Sequence, residues 1–183
     1  MLVLSEGTRH GETNQKMTKV LQGNMNGTIL ADTLLEQWIA EEAPDVLLLS
    51  EPYRNRNDRR WIVNADGRAA VWVPSGRPIT RQGTGQDHAL ATVANTTFVS
   101  VYLSPNLSAG DFDTRLAELE DTLRDIPGDL VIGGDFNARS TEWGMLSTNR
   151  RGRAVLDMAA RLGLQVANQG SISMCRQTRF PLY

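Results

Sequence analysis

Polar side chains suited to phosphate chemistry follow several apolar runs of this sequence. Asn24, Glu51 and Asp135 each come after a stretch apolar enough to be a buried strand. Glu51 and Asp135 carry hard carboxylate oxygens, the ligands that Mg²⁺ prefers, and Mg²⁺ usually takes only one or two carboxylates together with water and phosphate. Asn24, Asn137 and Tyr102 carry groups that hydrogen-bond to phosphate oxygens. These residue types indicate a metal-assisted site for a phosphate ester.

The elements predicted from hydrophobic periodicity would bring these groups to one edge of a sheet, because strand ends in layered α/β folds converge on a cleft. Continuous apolar runs at 45–50 and 129–134 predict strands covered on both faces. Helical spacing of apolar residues predicts helices over 29–43, 111–125 and 152–162. Shorter strands are predicted at 20–25, 61–64, 69–73, 89–94, 97–103 and 164–167.

Strands and helices alternate, and hairpin-like strand pairs also occur, which predicts a layered α/β domain with mixed sheets. Residues 1–18 are polar and without periodicity, so we interpret them as a disordered leader. Residues 74–88, rich in Gly and Pro, are predicted to be the longest loop. The apolar face of the first helix is predicted to consist of six residues: Leu30, Leu34, Leu35, Trp38, Ile39 and Ala43.

Composition places few limits on function. The chain has 183 residues, 40% of them hydrophobic and 22% charged, which is typical of an ordinary globular domain. A net charge of −2 gives no global basic signal, so a nucleic-acid partner has to be inferred from local arginines. The single cysteine, Cys175, excludes an internal disulfide framework, and no apolar run is long enough to span a membrane. His10 and His88 are predicted to be surface residues.

Four blocks of sequence, in this order, resemble the endonuclease/exonuclease/phosphatase superfamily. They are Asn24-x-Asn26-Gly27, Leu49-Ser50-Glu51-Pro52, Val101-Tyr102-x-x-Pro105-Asn106 and Gly134-Asp135-Phe136-Asn137. The strings at 47–53, 135–138 with 143–144, 149–152 and 168–170 are similar to the apurinic-type endonuclease domain of insect non-LTR retrotransposons. The resemblance covers residues 19–175. It implies a DNase-I-like fold, a layered α-β-β-α sandwich with mixed sheets.

The resemblance implies a role for each matching residue. Glu51 would bind a divalent metal, Mg²⁺ or Mn²⁺, with Asn24 supporting the same ion. Asp135 would orient or activate the attacking water. Asn137 and Tyr102 would hold the scissile phosphate. The bound metal would act as a Lewis acid on the phosphoryl oxygen.

Two further groups follow from the same resemblance. Asn106 is predicted to be a supporting residue of the site. Four arginines could contact DNA phosphates: Arg139, Arg150, Arg151 and Arg153. Arg150 and Arg151 fit equally well a solvated first turn of a helix.

The activity implied by the resemblance is nicking of one DNA strand, so that a reverse transcriptase can prime on the free 3′ end. A reverse transcriptase domain is expected in a full-length element and is absent from these 183 residues. The family pattern also expects a later Ser-Asp-His block, which this sequence lacks. We therefore expect a fold that is incomplete at the C-terminus, with residues 176–183 as a divergent tail. The location implied is intracellular and nuclear, without membrane association.

Other interpretations of the same residues remain. The chain could be a catalytically inactive, truncated remnant that at most binds metal or DNA. It could also be another phosphoesterase of the same superfamily, acting on a small phosphoester or a phospholipid. Asp135 and Asn137 on their own fit a strand-end turn, and Tyr102 fits a half-buried strand tyrosine.

Overall fold

The secondary structure follows the predicted alternation of strands and helices. The computed structural model describes residues 2–6, 18–167 and 175–180, with Glu6 and 175–180 described by their backbone alone. In chain order the elements are β1 (Leu2–Glu6), β2 (Thr18–Asn24), α1 (Ile29–Glu42), β3 (Val46–Ser50), β4 (Trp61–Val63), β5 (Ala69–Trp72), β6 (Ile79–Thr84), β7 (His88–Val93), β8 (Thr96–Tyr102), α2 (Ala109–Arg124), β9 (Asp129–Asp135), a 3₁₀ turn (Thr141–Trp143), α3 (Arg150–Arg161), β10 (Leu164–Val166) and β11 (Cys175–Phe180).

The strands form two mixed sheets. Within the described residues, the first sheet has the order β10-β1-β9-β8-β7-β6 and the second has the order β11-β2-β3-β5-β4. Strands β8 and β9 are parallel, and so are β2 and β3. Each sheet therefore contains two neighbouring strands that end at the same edge.

Alternation of side chains along these strands separates three apolar layers. Val131 and Phe98 point between the sheets, whereas Ile132 packs with α2 and α3 on the outer face of the first sheet. Leu47 packs with Leu35 of α1 on the outer face of the second sheet. The protein is thus an α-β-β-α sandwich, which confirms the predicted fold class. No helix in the described ranges is both long and apolar enough to cross a membrane.

The start of the chain corrects the predicted disordered leader of residues 1–18. Leu2–Glu6 forms β1, which pairs antiparallel with β9 on one side and with β10 on the other. Leu2 and Leu4 are buried against the helix layer, and Val3 is buried between the sheets. A strand of five residues contains too few repeats of the two-residue alternation to stand out in the sequence. Its stability comes from pairing with strands that are distant along the chain.

The end of the chain also carries regular structure. The backbone of Cys175–Phe180 pairs antiparallel with β2, so part of the predicted tail lies in the second sheet. Residues 7–17, 168–174 and 181–183, which include His10 and parts of the predicted leader and tail, lie outside the described residues.

Residues 74–88 are not one loop as predicted, because they contain β6. This strand is the outermost strand of the first sheet, and among the described residues it pairs with β7 alone. Thr80, Arg81 and Gln82 are exposed, so the strand presents no alternating apolar face. Polar residues of this kind are common on sheet edges, where they discourage pairing with other chains.

The face of α1 that packs on the second sheet differs from the predicted one. Leu35 is buried as predicted, and Trp38 and Ile39 pack beside it. Leu30 and Leu34, in contrast, are exposed by 68% and 43%. Asp32 is buried instead, where its carboxylate pairs with Arg56 at 2.7 Å and Arg54 at 2.9 Å. The ion pairs keep an acid on the inner face, so counting apolar residues alone placed the stripe at the wrong angle.

The two neighbouring leucines of α1 should therefore respond differently to truncation. Leu35→Ala is expected to lower the free energy of unfolding by about 2–5 kcal/mol, because it leaves a cavity in the packed layer. Leu34→Ala is the matched control and should change it by less than about 0.5 kcal/mol, since its side chain is partly solvated. Urea denaturation of both variants measures the difference. Equal losses would show that α1 packs as the sequence pattern suggested.

Candidate active site

Four strand ends meet where the two sheets pack together. Asn24 is the last residue of β2, Tyr102 of β8 and Asp135 of β9, while Glu51 directly follows β3. Alternate residues of a strand face the same side. On their strands, Asn24, Tyr102 and Asp135 are in step with three residues of the inter-sheet core: Val20, Phe98 and Val131. The inter-sheet layer therefore changes from apolar to polar at this edge, where the sequence analysis placed the site.

Asn24 joins the two candidate metal-binding carboxylates. Its Nδ2 lies 2.9 Å from Asp135 Oδ2 and 3.3 Å from Glu51 Oε2. Its Oδ1 accepts a hydrogen bond from the Asn26 backbone N–H at 2.7 Å, which fixes the amide. Among the described residues, neither carboxylate has an ion-pair partner within 4 Å. Two half-buried negative charges held by one neutral amide favour the binding of a cation.

The Asp135 carboxylate is fixed at both oxygens. Oδ2 accepts from Asn24, and Oδ1 accepts from the backbone N–H of Asn137 at 2.9 Å. Asn137 has a φ of +47°, a left-handed conformation that asparagine tolerates better than most residues. The Asn137 side chain donates from Nδ2 to the Leu103 carbonyl at 2.9 Å. Asp135 and Asn137 thus form one rigid turn that connects β9 to the loop after β8.

Glu51 is held in a strained backbone conformation. Its φ is +47°, which costs a side-chain-bearing residue roughly 1–2 kcal/mol. Its N–H donates to the Arg68 carbonyl at 2.7 Å, and its carbonyl accepts from the Gly27 N–H at 2.9 Å. Strain of this kind persists where surrounding structure enforces it, often at functional sites. Here it turns the Glu51 carboxylate towards Asn24.

Two serines join the sheets beneath the site, and the sequence analysis gave neither of them a role. Ser50 Oγ donates to the Val101 carbonyl at 3.1 Å and accepts from the Asp135 N–H at 3.2 Å. Ser100 Oγ donates to the Leu49 carbonyl at 2.9 Å. Both side chains are fully buried. The sequence did contain a signal for Ser50. It is a small hydroxyl residue that ends an apolar run directly before the candidate ligand Glu51.

Tyr102 is a buried donor next to Glu51. Its side chain is only 6% exposed. Burial raises the pKa of the Tyr102 phenol, and a hydrogen bond to Glu51 raises it further, while Arg68 opposes both. Tyr102 is therefore a neutral O–H donor at neutral pH rather than a phenolate.

Comparisons with known proteins found one family match and several similar structures. A profile of the family described as endonuclease-reverse transcriptase matches residues 96–179, past the predicted domain boundary at 175. The structure is similar to the endonuclease domain of TRAS1, a telomere-specific non-LTR retrotransposon. The TM-score is 0.72 and the identity is 26%, over 85% of this chain and 75% of that one. Both matches support an endonuclease/exonuclease/phosphatase domain that is similar to retrotransposon endonucleases.

Structures with lower sequence identity share the fold of this chain. An AP endonuclease from Archaeoglobus fulgidus has a TM-score of 0.61 and 15% identity, over 80% of this chain and 71% of that one. A 3′–5′ exonuclease from Neisseria meningitidis has a TM-score of 0.58 and 16% identity, over 79% and 71%. A search of curated proteins found no match.

The loop that follows β8 contains Asn106 and contacts one of the four arginines, Arg151. Asn106 is exposed, and its backbone N–H donates to Ser104 Oγ. The Arg151 guanidinium donates to the carbonyls of Ser104, Pro105 and Leu107, at 3.1, 3.1 and 2.6 Å. Arg151 therefore stabilises this loop, a role that the sequence analysis did not foresee. The structure does not join the Asn106 side chain to the carboxylates.

The side chains of the other three arginines differ in their hydrogen bonds and ion pairs. Arg150 pairs with Asp113 and donates to the Ala109 carbonyl, so it links α3 to α2. Arg139 and Arg153 are exposed, and within the described part of the chain their guanidinium groups make no hydrogen bond or ion pair. DNA contact stays a prediction for all four arginines, and it fits Arg139 and Arg153 best.

His88 is not a surface residue as predicted, because it is only 6% exposed at the start of β7. Its ring packs on Gly85, where an added Cβ would lie 2.2 Å from His88 Cε1. Burial lowers the pKa of His88 below its ordinary value. Nothing in the sequence indicated that His88 is buried, because the apolar pattern of the predicted strand begins only at Ala89.

Burial of His88 should make the domain sensitive to acid. The unfolded chain protonates this histidine below about pH 6.5. The folded chain protonates it only at lower pH, so its stability falls as the pH drops below that value. The loss is expected to be at most about 1.4 kcal/mol per pH unit. Urea denaturation at pH 7.5 and 5.5, with His88→Gln as the control, isolates the contribution. An equal pH dependence in both proteins would contradict the prediction.

Proposed function

We propose that this chain is the metal-dependent DNA endonuclease domain of a non-LTR retrotransposon, and that it nicks one strand to leave a 3′ end for reverse transcription. The observation that supports this most is the hydrogen-bonded set of Asn24, Glu51 and Asp135 at the shared edge of the two sheets. Similarity to the TRAS1 endonuclease domain and to the endonuclease-reverse transcriptase family supports DNA as the substrate. The nucleus is the proposed place of action.

The residues present fit Mg²⁺ or Mn²⁺. Glu51 and Asp135 offer carboxylate oxygens, and the Asn24 amide supports them by donating from Nδ2 to one oxygen of each. Within the described ranges no three side chains of His, Cys, Asp or Glu form a cluster, so an all-protein metal cage is absent there. Mg²⁺ suits such a site because it usually keeps several waters and binds substrate phosphate oxygens. When bound, it would withdraw charge from the phosphoryl oxygens.

The other side chains position the substrate and the water. Asp135 accepts one hydrogen bond at each oxygen, and the remaining lone pairs of the carboxylate could accept a hydrogen bond from the attacking water. Asn137 uses one N–H for the Leu103 carbonyl and keeps a second N–H for a phosphate oxygen. Tyr102 is a neutral phenol with one O–H, which would turn from Glu51 to donate to the same phosphate. Donors placed in advance in this way stabilise charge that develops in the transition state.

A comparison of substrates tests this function against its rivals. The purified protein is incubated with supercoiled plasmid DNA and, separately, with a soluble phosphomonoester and with phospholipid vesicles, each with Mg²⁺ and with EDTA. We expect open-circular plasmid to form only with Mg²⁺, and the other two substrates to stay intact. Faster hydrolysis of the phosphomonoester or the phospholipid would instead identify a different phosphoesterase. Inactivity on all three would identify an inactive remnant.

A further inference from the structure

We propose that Arg68 is a cationic phosphate contact of the candidate active site. No part of the sequence pattern singled it out, since it lies between β4 and β5 and outside the four matching blocks. The inference rests on the proposed function, because it assumes that the site binds a DNA phosphate. It adds a positive charge to a site whose other candidate residues are acidic or neutral.

The turn that carries Arg68 is built around a buried asparagine. Asn64 is only 3% exposed. Its Oδ1 accepts from the backbone N–H groups of Arg68 and Ala69, both at 2.9 Å, and its Nδ2 donates to the Gln86 carbonyl. A buried side chain with these partners holds a turn in one conformation. These hydrogen bonds therefore fix the position of the Arg68 backbone.

This backbone is joined directly to the site. The Arg68 carbonyl accepts from the Glu51 N–H at 2.7 Å, so the turn helps to hold Glu51 in its left-handed conformation. The register of β3 and β5 pairs Ser50 with Ala69, which places Arg68 at the same sheet edge as the carboxylates. The hydrogen bond to Glu51 and the register of β3 and β5 therefore both place the backbone of Arg68 beside the candidate site.

The side chain of Arg68 also reaches the site. Its guanidinium carbon lies 5.5 Å from the centre of the Tyr102 ring, within the range of a cation–π contact. Tyr102 in turn lies close enough to Glu51 for burial and the Glu51 carboxylate together to raise the pKa of the phenol. The guanidinium group is thus next to the phenol that the proposed function assigns to the scissile phosphate.

The charge of Arg68 remains available. Its side chain is 50% exposed, and among the described residues its acidic neighbour is Asp66, at 3.9 Å and equally exposed. Exposed pairs at that distance contribute little. Arg151 makes a useful contrast, because three loop carbonyls take up its donors. A half-exposed guanidinium with free donors suits a phosphate, which it can bind through two oxygens.

The test compares Arg68→Gln with Arg68→Lys and with a matched loss of charge, Arg59→Gln. Arg59 is exposed and precedes β4, whose start pairs with Trp72 at the opposite end of the second sheet from Ser50. Fluorescence anisotropy with a labelled DNA duplex in EDTA measures binding, and plasmid nicking with Mg²⁺ measures kcat and KM. Thermal melting of each variant confirms that it is folded.

Arg68→Gln is expected to weaken duplex binding by about tenfold, the size of one charge-assisted contact. It should also reduce the slope of log affinity against log salt by about 1. Arg68→Lys should recover part of the affinity, and Arg59→Gln should stay within about twofold of the wild type. If Arg68→Gln and Arg59→Gln behave alike while the wild type nicks DNA, Arg68 is not a phosphate contact although the proposed function stands. A wild type that neither binds nor nicks DNA would overturn both.

Discussion

Asp135→Asn is expected to lower the rate of Mg²⁺-dependent plasmid nicking by about 10²–10⁴-fold, the usual contribution of a positioned acid or base. The asparagine keeps the size of the side chain, so the turn to Asn137 should still form. It loses the negative charge that would bind the cation and orient the water. Glu51→Gln should have an effect of similar size, because it removes the other carboxylate bound by Asn24.

The matched control for this prediction lies on the same strand. Asp129 is the first residue of β9, at the end away from the site, so Asp129→Asn removes one negative charge without touching Asn24 or Glu51. Its nicking rate should stay within about threefold of the wild type. Urea denaturation of all variants tests whether they are folded. Nicking by folded Asp135→Asn at the rate of Asp129→Asn would remove Asp135 from the mechanism.

Gly134→Ala is expected to be the most destabilising single change near the site. Gly134 has a φ of +157°, and a Cβ there would lie 2.0 Å from the Val101 carbonyl oxygen and 2.8 Å from the Val101 carbonyl carbon. The obstacle is backbone of the paired strand β8, which cannot rotate away as a side chain can. Separating β8 from β9 should cost about 3–5 kcal/mol, among the largest effects of single substitutions.

Gly67→Ala is the control that separates the cost of a positive φ from the cost of the steric clash. Gly67 also has a positive φ, +75°, but nothing lies within 4 Å of its added Cβ. It should lose only about 1–2 kcal/mol, the cost of the left-handed conformation itself. Urea denaturation measures both variants, and loss of a cooperative transition in Gly134→Ala alone agrees with the prediction. Similar stabilities for the two variants would mean that β8 and β9 are not packed as closely as described.

The position of the candidate site was predictable from the sequence largely because its residues lie at the ends of strands. The strands β3 and β9 are continuous apolar runs, and such runs indicate strands that are covered on both sides. The polar residues that end them, Glu51 and Asp135, therefore had to lie at a sheet edge. The structure adds the contact that joins them, the Asn24 amide, whose distances no pattern in the sequence could supply.

The missed features share a different physical cause. Strands β1 and β6 depend on pairing with distant strands, and neither has a long apolar period of its own. The inner face of α1 was misplaced because ion pairs bury Asp32 there. Ser50 and Arg68 act through hydrogen bonds to backbone groups far along the chain, and such contacts leave no local pattern. Long-range polar contacts thus limited the prediction more than the apolar core did.

The most direct test of the account is the rate of plasmid nicking by the wild-type protein as Mg²⁺ is titrated into an EDTA-treated sample. The account predicts no nicking without metal, a rise to a saturating rate as Mg²⁺ is added, and restoration of activity by Mn²⁺. Glu51→Gln, measured beside it, should need more Mg²⁺ to reach half of its maximal rate. A nicking rate that is the same with EDTA and with Mg²⁺, or no nicking at any Mg²⁺ concentration, would contradict it.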